Sequence, residues 1–326
     1  YSLPPDSPRL EPLRDDYWAH VNNKDLPAIY PPAAQIIFRI IGNISYNLYS
    51  LKLLFILLDV GTVLLLWRLL QLRGRSRLWA YVYAWNPLVV FETAGNGHFD
   101  GVMIFFLVLS LLWIEQGRWA LSALALALGA LIKMVPLALL PYYFWKNPRR
   151  SHWLLLVPVV IALGYLPFLS AGKDLFFALH QYVTRWRHND FIFTILHESV
   201  FQNLDTTKLV LSVILALYAA YLWGGRREPI AAGLPLFGLA ILFSPIVHPW
   251  YLLVLVPFLC FRPDAGFLVF TATVVLSYAN LPAYHATGYW EENLIAKSVE
   301  YFSVFAIWVG LFVHRIAGRR AANPNP

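Results

Sequence analysis

The stretch LKLLFILLDVGTVLLLWRLL, residues 51–70, is apolar around every face of a helix rather than along one stripe. About 20 such residues are needed to cross the hydrocarbon core of a bilayer, and a helix that is apolar all round is not a surface helix of a soluble protein. The run RWALSALALALGALIKMV, residues 118–135, has the same character. Both runs predict helices that span a membrane.

The composition of the whole chain supports the same class. Of its 326 residues, 59% are hydrophobic and 13% are charged, and the mean hydropathy is +0.57. A soluble domain carries about 25% charged residues. The sequence therefore predicts an all-α, polytopic transmembrane helical bundle of about 9–11 spans, several of them short and broken by proline. We expect spans near 51–70, 78–94, 101–115, 118–133, 136–145, 152–169, 207–223, 229–245, 249–261, 264–281 and 298–316.

The net charge of +7 reflects topology rather than a nucleic-acid partner. Basic residues fall in short clusters between the apolar runs, and counting the spans places every cluster on one side. Basic loops stay in the cytoplasm, so the other loops are expected to face the periplasm. The clusters are RGRSR (73–77), KNPRR (146–150), GGRRE (224–228), RP (262–263) and HRIAGRR (314–320).

Two parts of different character are expected along the chain. Residues 1–50 read as an exterior loop with a juxtamembrane helix, and residues 51–326 as a transmembrane helical domain. Exterior loops are expected near 170–206 and 282–297, where aromatic and charged residues alternate. Flat apolar rings beside hydrogen-bonding groups suit a sugar, which has partly apolar faces and hydroxyl edges.

The beginning of the chain carries two further expectations. Residue 1 is tyrosine, and no signal peptide follows it, so we expect that a segment precedes Tyr1. Asp15 and Asp16 form an acidic pair in the first loop. They are either a solvated surface pair or part of a roof over a cavity.

Three predicted spans end at proline, at WNP (85–87), KMVP (133–136) and SPIVHPW (244–250). Non-helical backbone at membrane depth is tolerated only where protein or a water-filled cavity satisfies its polar groups. These breaks therefore predict a cavity that opens to the exterior face.

The stretch ETAGNGHFDG, residues 92–101, forms the tip of a hairpin beside that cavity. Asp100 either caps the following helix or acts on a ligand. Glu92 and His98 are candidates to bind a phosphate or to activate a hydroxyl. A metal site of Glu92, His98 and Asp100 is an alternative, although their spacing matches no firm metal-binding pattern.

Other polar residues near the same depth have two interpretations each. Lys133 either snorkels to the lipid headgroups or binds an anionic lipid phosphate in the cavity. His248 is either a structural histidine or a functional one at a broken helix, and Tyr251 can belong to an aromatic belt. Asp59, in the middle of a span, is expected to be paired across helices.

Four stretches together resemble bacterial membrane glycosyltransferases of the GT-C class, in particular polyprenyl-phosphate-mannose-dependent mannosyltransferases of the GT87 type. They are LRDDYWAHVNNKDLPAIYPPAAQIIF (13–38), WNPLVVFETAGNGHFDG (85–101), LIKMVPLALLPYYFW (131–145) and SPIVHPWYLLVLVPF (244–258). The resemblance implies a GT-C-like bundle in the bacterial inner membrane. It implies transfer of a hexose from a polyprenyl-phosphate sugar donor to a lipid or glycan acceptor at the periplasmic face, and mannose is the expected hexose.

The resemblance also implies roles for residues. In this class the base is an acid of the first exterior loop, next to a first helix that this sequence does not contain. The resemblance places Lys133 near the donor phosphate and has HPWY (248–251) line the cavity.

Inverting transfer needs a carboxylate as base and cations at the leaving phosphate. Asp100, Asp15 and Asp16 are the candidate bases, and no metal or other cofactor is expected. A protein that only transports or binds lipid-linked saccharides is the alternative function. The candidate substrate-binding residues are Lys133, His98, Glu92, His248, Tyr251, Arg185 and Arg187.

Overall fold

A computed structural model of the chain describes residues 1–322, and within them it is helical and forms no β-strand. Short 3-10 turns at Pro8–Leu13 and Asp16–His20 precede the first long helix. Short helical turns also fill residues 77–84 and 135–146. The twelve principal helices are α1 (Pro32–Ile44), α2 (Leu48–Leu72), α3 (Pro87–Gly95), α4 (Asp100–Glu115), α5 (Trp119–Ile132), α6 (Pro148–Arg185), α7 (Ile192–Phe201), α8 (Leu204–Gly224), α9 (Pro229–Phe243), α10 (Pro249–Leu259), α11 (Ala265–Thr287) and α12 (Leu294–Ala322).

The predicted all-α membrane bundle is confirmed. Within residues 1–322, five helices are long and apolar enough to cross a membrane, and the bent pair α3 and α4 would make a sixth. The sequence predicts more spans because it counts short apolar helices as well. Four helices of this kind, α5, α7, α9 and α10, have only 10–17 residues.

Helix α4 runs between two ion pairs at opposite ends of the bundle. It begins at Asp100, which pairs with Lys133, and it ends at Glu115, which pairs with Lys146. Its 16 residues span about 24 Å at 1.5 Å per residue. We call the end with Asp100 and Lys133 the site end, and the end with Glu115 and Lys146 the arginine end.

Ion pairs join four parts of the chain at the arginine end. Arg73, which follows α2, binds Glu115 and lies 2.6 Å from Glu228, which precedes α9. Lys146 lies 2.7 Å from Glu115. The basic clusters at 73–77, 146–150 and 224–228 therefore meet at one end, as predicted, and Arg262 lies there too. The cluster at 314–320 extends outside the side chains that the structure describes.

Helix α1 lies beside the bundle rather than within it. It follows Pro31 and begins at Pro32, and proline suits the first turn of a helix because its missing backbone N–H is not needed there. Ile36, Ile40 and Ile44 are exposed at a spacing of four residues, so they form an apolar stripe on one face. Such a stripe is typical of a helix at a membrane interface.

The first segment also covers the hairpin between α3 and α4. The ring of Phe38 on α1 packs against Phe99 of the hairpin, with 4.9 Å between their centroids. The ring of Tyr30 also packs against Phe99, with 6.3 Å between their centroids. The hydroxyl of Tyr1 donates a hydrogen bond of 2.7 Å to the carbonyl of Tyr30. In the middle of the bundle, Tyr83 donates a 2.6 Å hydrogen bond to Asp59, which is the partner that the sequence requires for this carboxylate.

Candidate active site

The hairpin begins with a helix that bends sharply. The side chain of Asn86 accepts a hydrogen bond from the N–H of Leu88, and Pro87 occupies the first turn of α3. Residues Val90–Gly95 form a π-helix, a rare conformation often found at functional sites. The chain then turns through Gly97, with φ +74°, and α4 leaves at 120° to α3. Lys52 of α2 donates to the carbonyl of Gly95 and holds the turn in place.

Glu92 is fully buried inside this hairpin. Tyr278 donates a hydrogen bond to one of its carboxylate oxygens at 2.9 Å, and Asn96 donates to the other at 3.2 Å. The Nε2 atom of His98 also lies 3.2 Å from Glu92. Protein groups surround this carboxylate, so it can orient His98 but presents no open face to a ligand.

Asp100 and Lys133 form an ion pair of 2.7 Å at the site end. Asp100 is the first residue of α4, where the helix dipole favours a negative charge, but its side chain caps no backbone N–H. Lys133 follows α5 in an extended conformation, and its ammonium lies 4.3 Å from the centre of the Tyr251 ring. The ammonium therefore points toward Asp100 and Tyr251, which favours the cavity interpretation over snorkelling.

A column of stacked rings stands beside this pair. The ring of His98 stacks on Trp250 at 3.8 Å, and Trp250 stacks on His248 at 4.3 Å. His248 in turn stacks on His188 at 4.5 Å, and Trp290 meets His188 edge-on at 5.0 Å. The column unites four segments that are far apart in sequence. It presents flat surfaces and ring nitrogens at one place.

Backbone contacts hold the broken segment before α10 against the loop that follows α6. His188 donates its N–H to the carbonyl of Pro245 at 2.9 Å, and its own carbonyl accepts the N–H of Val247 at 2.8 Å. The hydroxyl groups of Tyr182 and Tyr251 are hydrogen-bonded to each other. His248 and Tyr251 are thereby fixed beside Lys133.

Arg187 and Arg185 lie in a different environment. Arg187 pairs with Asp190 at 3.0 Å, and Asp190 also binds the buried Lys297 at 3.2 Å. Lys297 lies 2.6 Å from Glu292, so the network joins the two long loops. Arg185 is exposed and forms no ion pair or hydrogen bond with the described residues. The structure thus places neither arginine in contact with Lys133.

The acidic pair of the first loop is engaged elsewhere as well. Asp15 and Asp16 are exposed. Asp15 accepts a hydrogen bond from the N–H of Trp18 at 3.1 Å and one from Tyr46 at 2.6 Å. The Tyr46 hydrogen bond lowers the pKa of Asp15. Among residues 1–322, no hydrogen bond or ion pair joins either aspartate to Asp100 or Lys133.

Sequence reasoning places Glu92, His98, Asp100, Lys133, His248 and Tyr251 at this site, and the structure brings these six together. The sequence alone does not identify Tyr278, Asn96 and His188 as parts of the site, because their roles depend on contacts that only the folded chain makes. The cue for Asn96 was its position four residues after Glu92. Among the described residues, no group of three or more His, Cys, Asp and Glu is placed to hold a metal ion.

The arrangement combines one cation, one carboxylate and a wall of rings in a single place. A cation can neutralise a leaving phosphate, and a carboxylate can accept the proton of a hydroxyl. Rings can pack against the apolar face of a sugar. These are the groups that a transfer of a phosphate-linked sugar requires.

Comparison with known proteins gives one family. The model of Glycosyltransferase family 87 matches residues 28–191, a range that contains Glu92, His98, Asp100 and Lys133. His248 and Tyr251 lie beyond it. No curated protein and no solved structure matches the chain.

Proposed function

The chain belongs to glycosyltransferase family 87 and is a membrane glycosyltransferase. We propose that its donor is a polyprenyl-phosphate-linked hexose and that this hexose is mannose. The acceptor in this proposal is a lipid or glycan. Membership of an enzyme family favours catalysis over the transporter that the sequence leaves open. The enzyme acts at the periplasmic face of the bacterial inner membrane.

The observation that carries this proposal is the ion pair of Asp100 and Lys133 beside broken helices. A polyprenyl-phosphate donor keeps its phosphate at the membrane surface, and a single inward-facing lysine there offers the charge that a phosphodiester needs. Lys133 is one-quarter exposed, so its ammonium remains open to a ligand. The opposite charges of Asp100 and Lys133 cancel, so the pair has no net charge before the donor binds.

The reaction then follows from these two groups. The acceptor hydroxyl oxygen attacks the anomeric carbon of the sugar, and the bond from that carbon to the phosphate oxygen breaks. The phosphate leaves with the bonding electrons and is stabilised by Lys133. Asp100, released from Lys133, accepts the proton of the attacking hydroxyl. Charge is conserved, because the phosphate gains one negative charge as it leaves and Asp100 loses one when it takes the proton.

The other residues receive supporting roles in the proposal. His98, His248 and Tyr251 line the sugar position, and Glu92 is a positioning residue that orients His98. Arg187 holds the two long loops together through Asp190. Asp15 and Asp16 belong to the cover over the hairpin.

The basic clusters support the orientation. They meet at the arginine end, which the positive-inside rule assigns to the cytoplasm. The site end then faces the periplasm, the side to which the resemblance assigns the lipid-linked donor.

The donor class is tested with membranes from cells that produce the chain. They receive tritiated mannose on polyprenyl phosphate or, in a second arm, the same sugar on a nucleoside diphosphate. We expect a labelled glycoside from the lipid-linked donor alone, over membranes that lack the chain. Transfer from the nucleotide sugar, with none from the lipid-linked sugar, would contradict the proposal. A third arm with glucose on polyprenyl phosphate tests whether the transferred sugar is mannose.

The ring column gives a second prediction. Trp250→Leu is expected to lower the kcat/KM for the donor about three- to tenfold, because the central flat surface of the column is lost. Trp223→Leu is the matched control, since Trp223 is partly exposed near the arginine end. Equal effects of the two substitutions on kcat/KM would exclude a contact between the column and the sugar.

A further inference from the structure

A cavity lined by arginines lies at the arginine end, opposite the candidate active site. Its volume is about 370 Å³, within the range that holds a small ligand. Three helix ends form it, because its residues follow α2, flank the start of α9 or follow α10. Four arginines and four apolar residues line it: Arg73, Arg75, Arg227, Arg262, Ile230, Ala231, Leu234 and Phe261.

Positive charge in this cavity exceeds negative charge. Arg73 is paired with Glu115 and Glu228, and Lys146 shares the same two carboxylates. Arg75 donates to a neutral group, the carbonyl of Phe261. Arg227 and Arg262 are exposed and have no ion pair with the residues that the structure describes. The Nε atom of Arg73 is also buried without a hydrogen-bond partner.

Topology alone does not explain this convergence. The positive-inside rule requires arginines in the loops of one side, but it does not require four of them around one cavity. The cavity also has an apolar wall, formed by Ile230 and Leu234 of α9 and by Phe261. Guanidinium groups next to an apolar wall match a phosphate attached to an aliphatic chain.

We propose that this cavity binds the phosphate of an anionic phospholipid in the leaflet at the arginine end. The ligand chemistry is a phosphodiester held by Arg75, Arg227 and Arg262, with its glycerol and first acyl carbons against α9. The site is separate from the catalytic one, and its occupancy does not depend on which sugar the enzyme transfers.

The test measures lipid preference on the purified full chain in bilayers of phosphatidylcholine. Spin-labelled phosphatidylglycerol and spin-labelled phosphatidylcholine are compared by the fraction that the protein immobilises. We expect an association preference for phosphatidylglycerol of at least about fivefold in the unmodified chain. The double variant Arg227→Gln, Arg262→Gln is expected to lose most of it.

The matched control is the double variant Arg149→Gln, Arg150→Gln. It removes the same charge from the same end, at exposed residues outside the cavity. We expect it to keep the preference, and an equal loss in both double variants would overturn the cavity in favour of a diffuse charge effect. No preference in the unmodified chain would also overturn the proposal.

A further arm separates the lipid from free phosphate. Inorganic phosphate is added at millimolar concentration, at constant ionic strength maintained with chloride. The immobilised fraction of phosphatidylglycerol is expected to stay unchanged, because the lipid is held by its glycerol and acyl carbons as well as its phosphate. Displacement by inorganic phosphate would show a site for the free anion and overturn the lipid assignment.

Discussion

Replacing Lys133 with alanine is expected to slow sugar transfer about a hundredfold, the usual cost of losing one preorganised donor to a developing anion. Lys133 is the cation at the site end that faces Asp100, and its ammonium lies against Tyr251. The charge on the phosphate grows as the bond to the sugar breaks. The effect is therefore expected mainly in kcat, with a smaller rise in KM. Transfer of labelled mannose in membranes, at several donor concentrations, separates the two.

Lys146→Ala provides the matched control for this substitution. Lys146 forms an ion pair of the same length, 2.7 Å, with a carboxylate of similar burial, but at the arginine end. It lies outside both the active site and the residues that line the arginine cavity, so we expect less than about a threefold change in transfer per folded protein. Because Lys133→Ala leaves Asp100 unpaired, Lys133→Gln is measured beside it, and the folded fraction of each is checked in detergent. Transfer by folded Lys133→Gln at the rate of the unmodified enzyme would remove Lys133 from the mechanism.

Asp100→Asn is expected to lower kcat by about two to four orders of magnitude, the range for loss of a general base. The substitution keeps the shape of the side chain, and its amide oxygen can still accept a hydrogen bond from Lys133. The substitution removes the ability to take a proton and the negative charge that pairs with Lys133. In the smaller variant Asp100→Ala, added formate can enter the vacated space as a substitute carboxylate. We expect formate to restore part of the transfer in Asp100→Ala and none in Lys133→Ala.

Two further variants test whether Asp100 is the base. Glu92→Gln removes a carboxylate from the same hairpin, but Glu92 is fully buried against Tyr278 and Asn96. As a positioning residue it should cost less than Asp100 and show no rescue by formate. If Asp100→Asn transfers sugar normally while Asp16→Asn does not, the base belongs to the first loop.

The sequence is sufficient for the membrane class and for the placement of the polar segments. Apolar runs and basic clusters depend on local composition, and the contacts of Arg73 and Lys146 confirm that three clusters share one end. The sequence also shows that Asp59 needs a partner, but it does not show that the partner is Tyr83. Pairing of this kind depends on how helices pack.

The candidate site shows the same division. Residues 92–101 are recognisable as a polar hairpin, but the stacking of His98 on Trp250 joins positions far apart in sequence. Arg187 is a different case, because its acidic partner Asp190 stands only three residues away and could have been paired with it from sequence. The span count differs because proline shortens several apolar helices below the length that crosses a bilayer.

Both ends of the molecule hold a partly buried ion pair, but the ring column lies only at the site end. At the arginine end, Glu115 forms ion pairs with both Arg73 and Lys146. Separating partly buried charges of this kind costs considerable free energy. At the site end, His98, Trp250 and His248 meet face to face, and each such stacked pair contributes only about 0.5–1.5 kcal/mol beyond its buried area. The stacked rings are therefore easier to separate than the ion pairs at either end. If the donor is the proposed lipid-linked sugar, its entry requires movement of side-chain rings and no separation of helices.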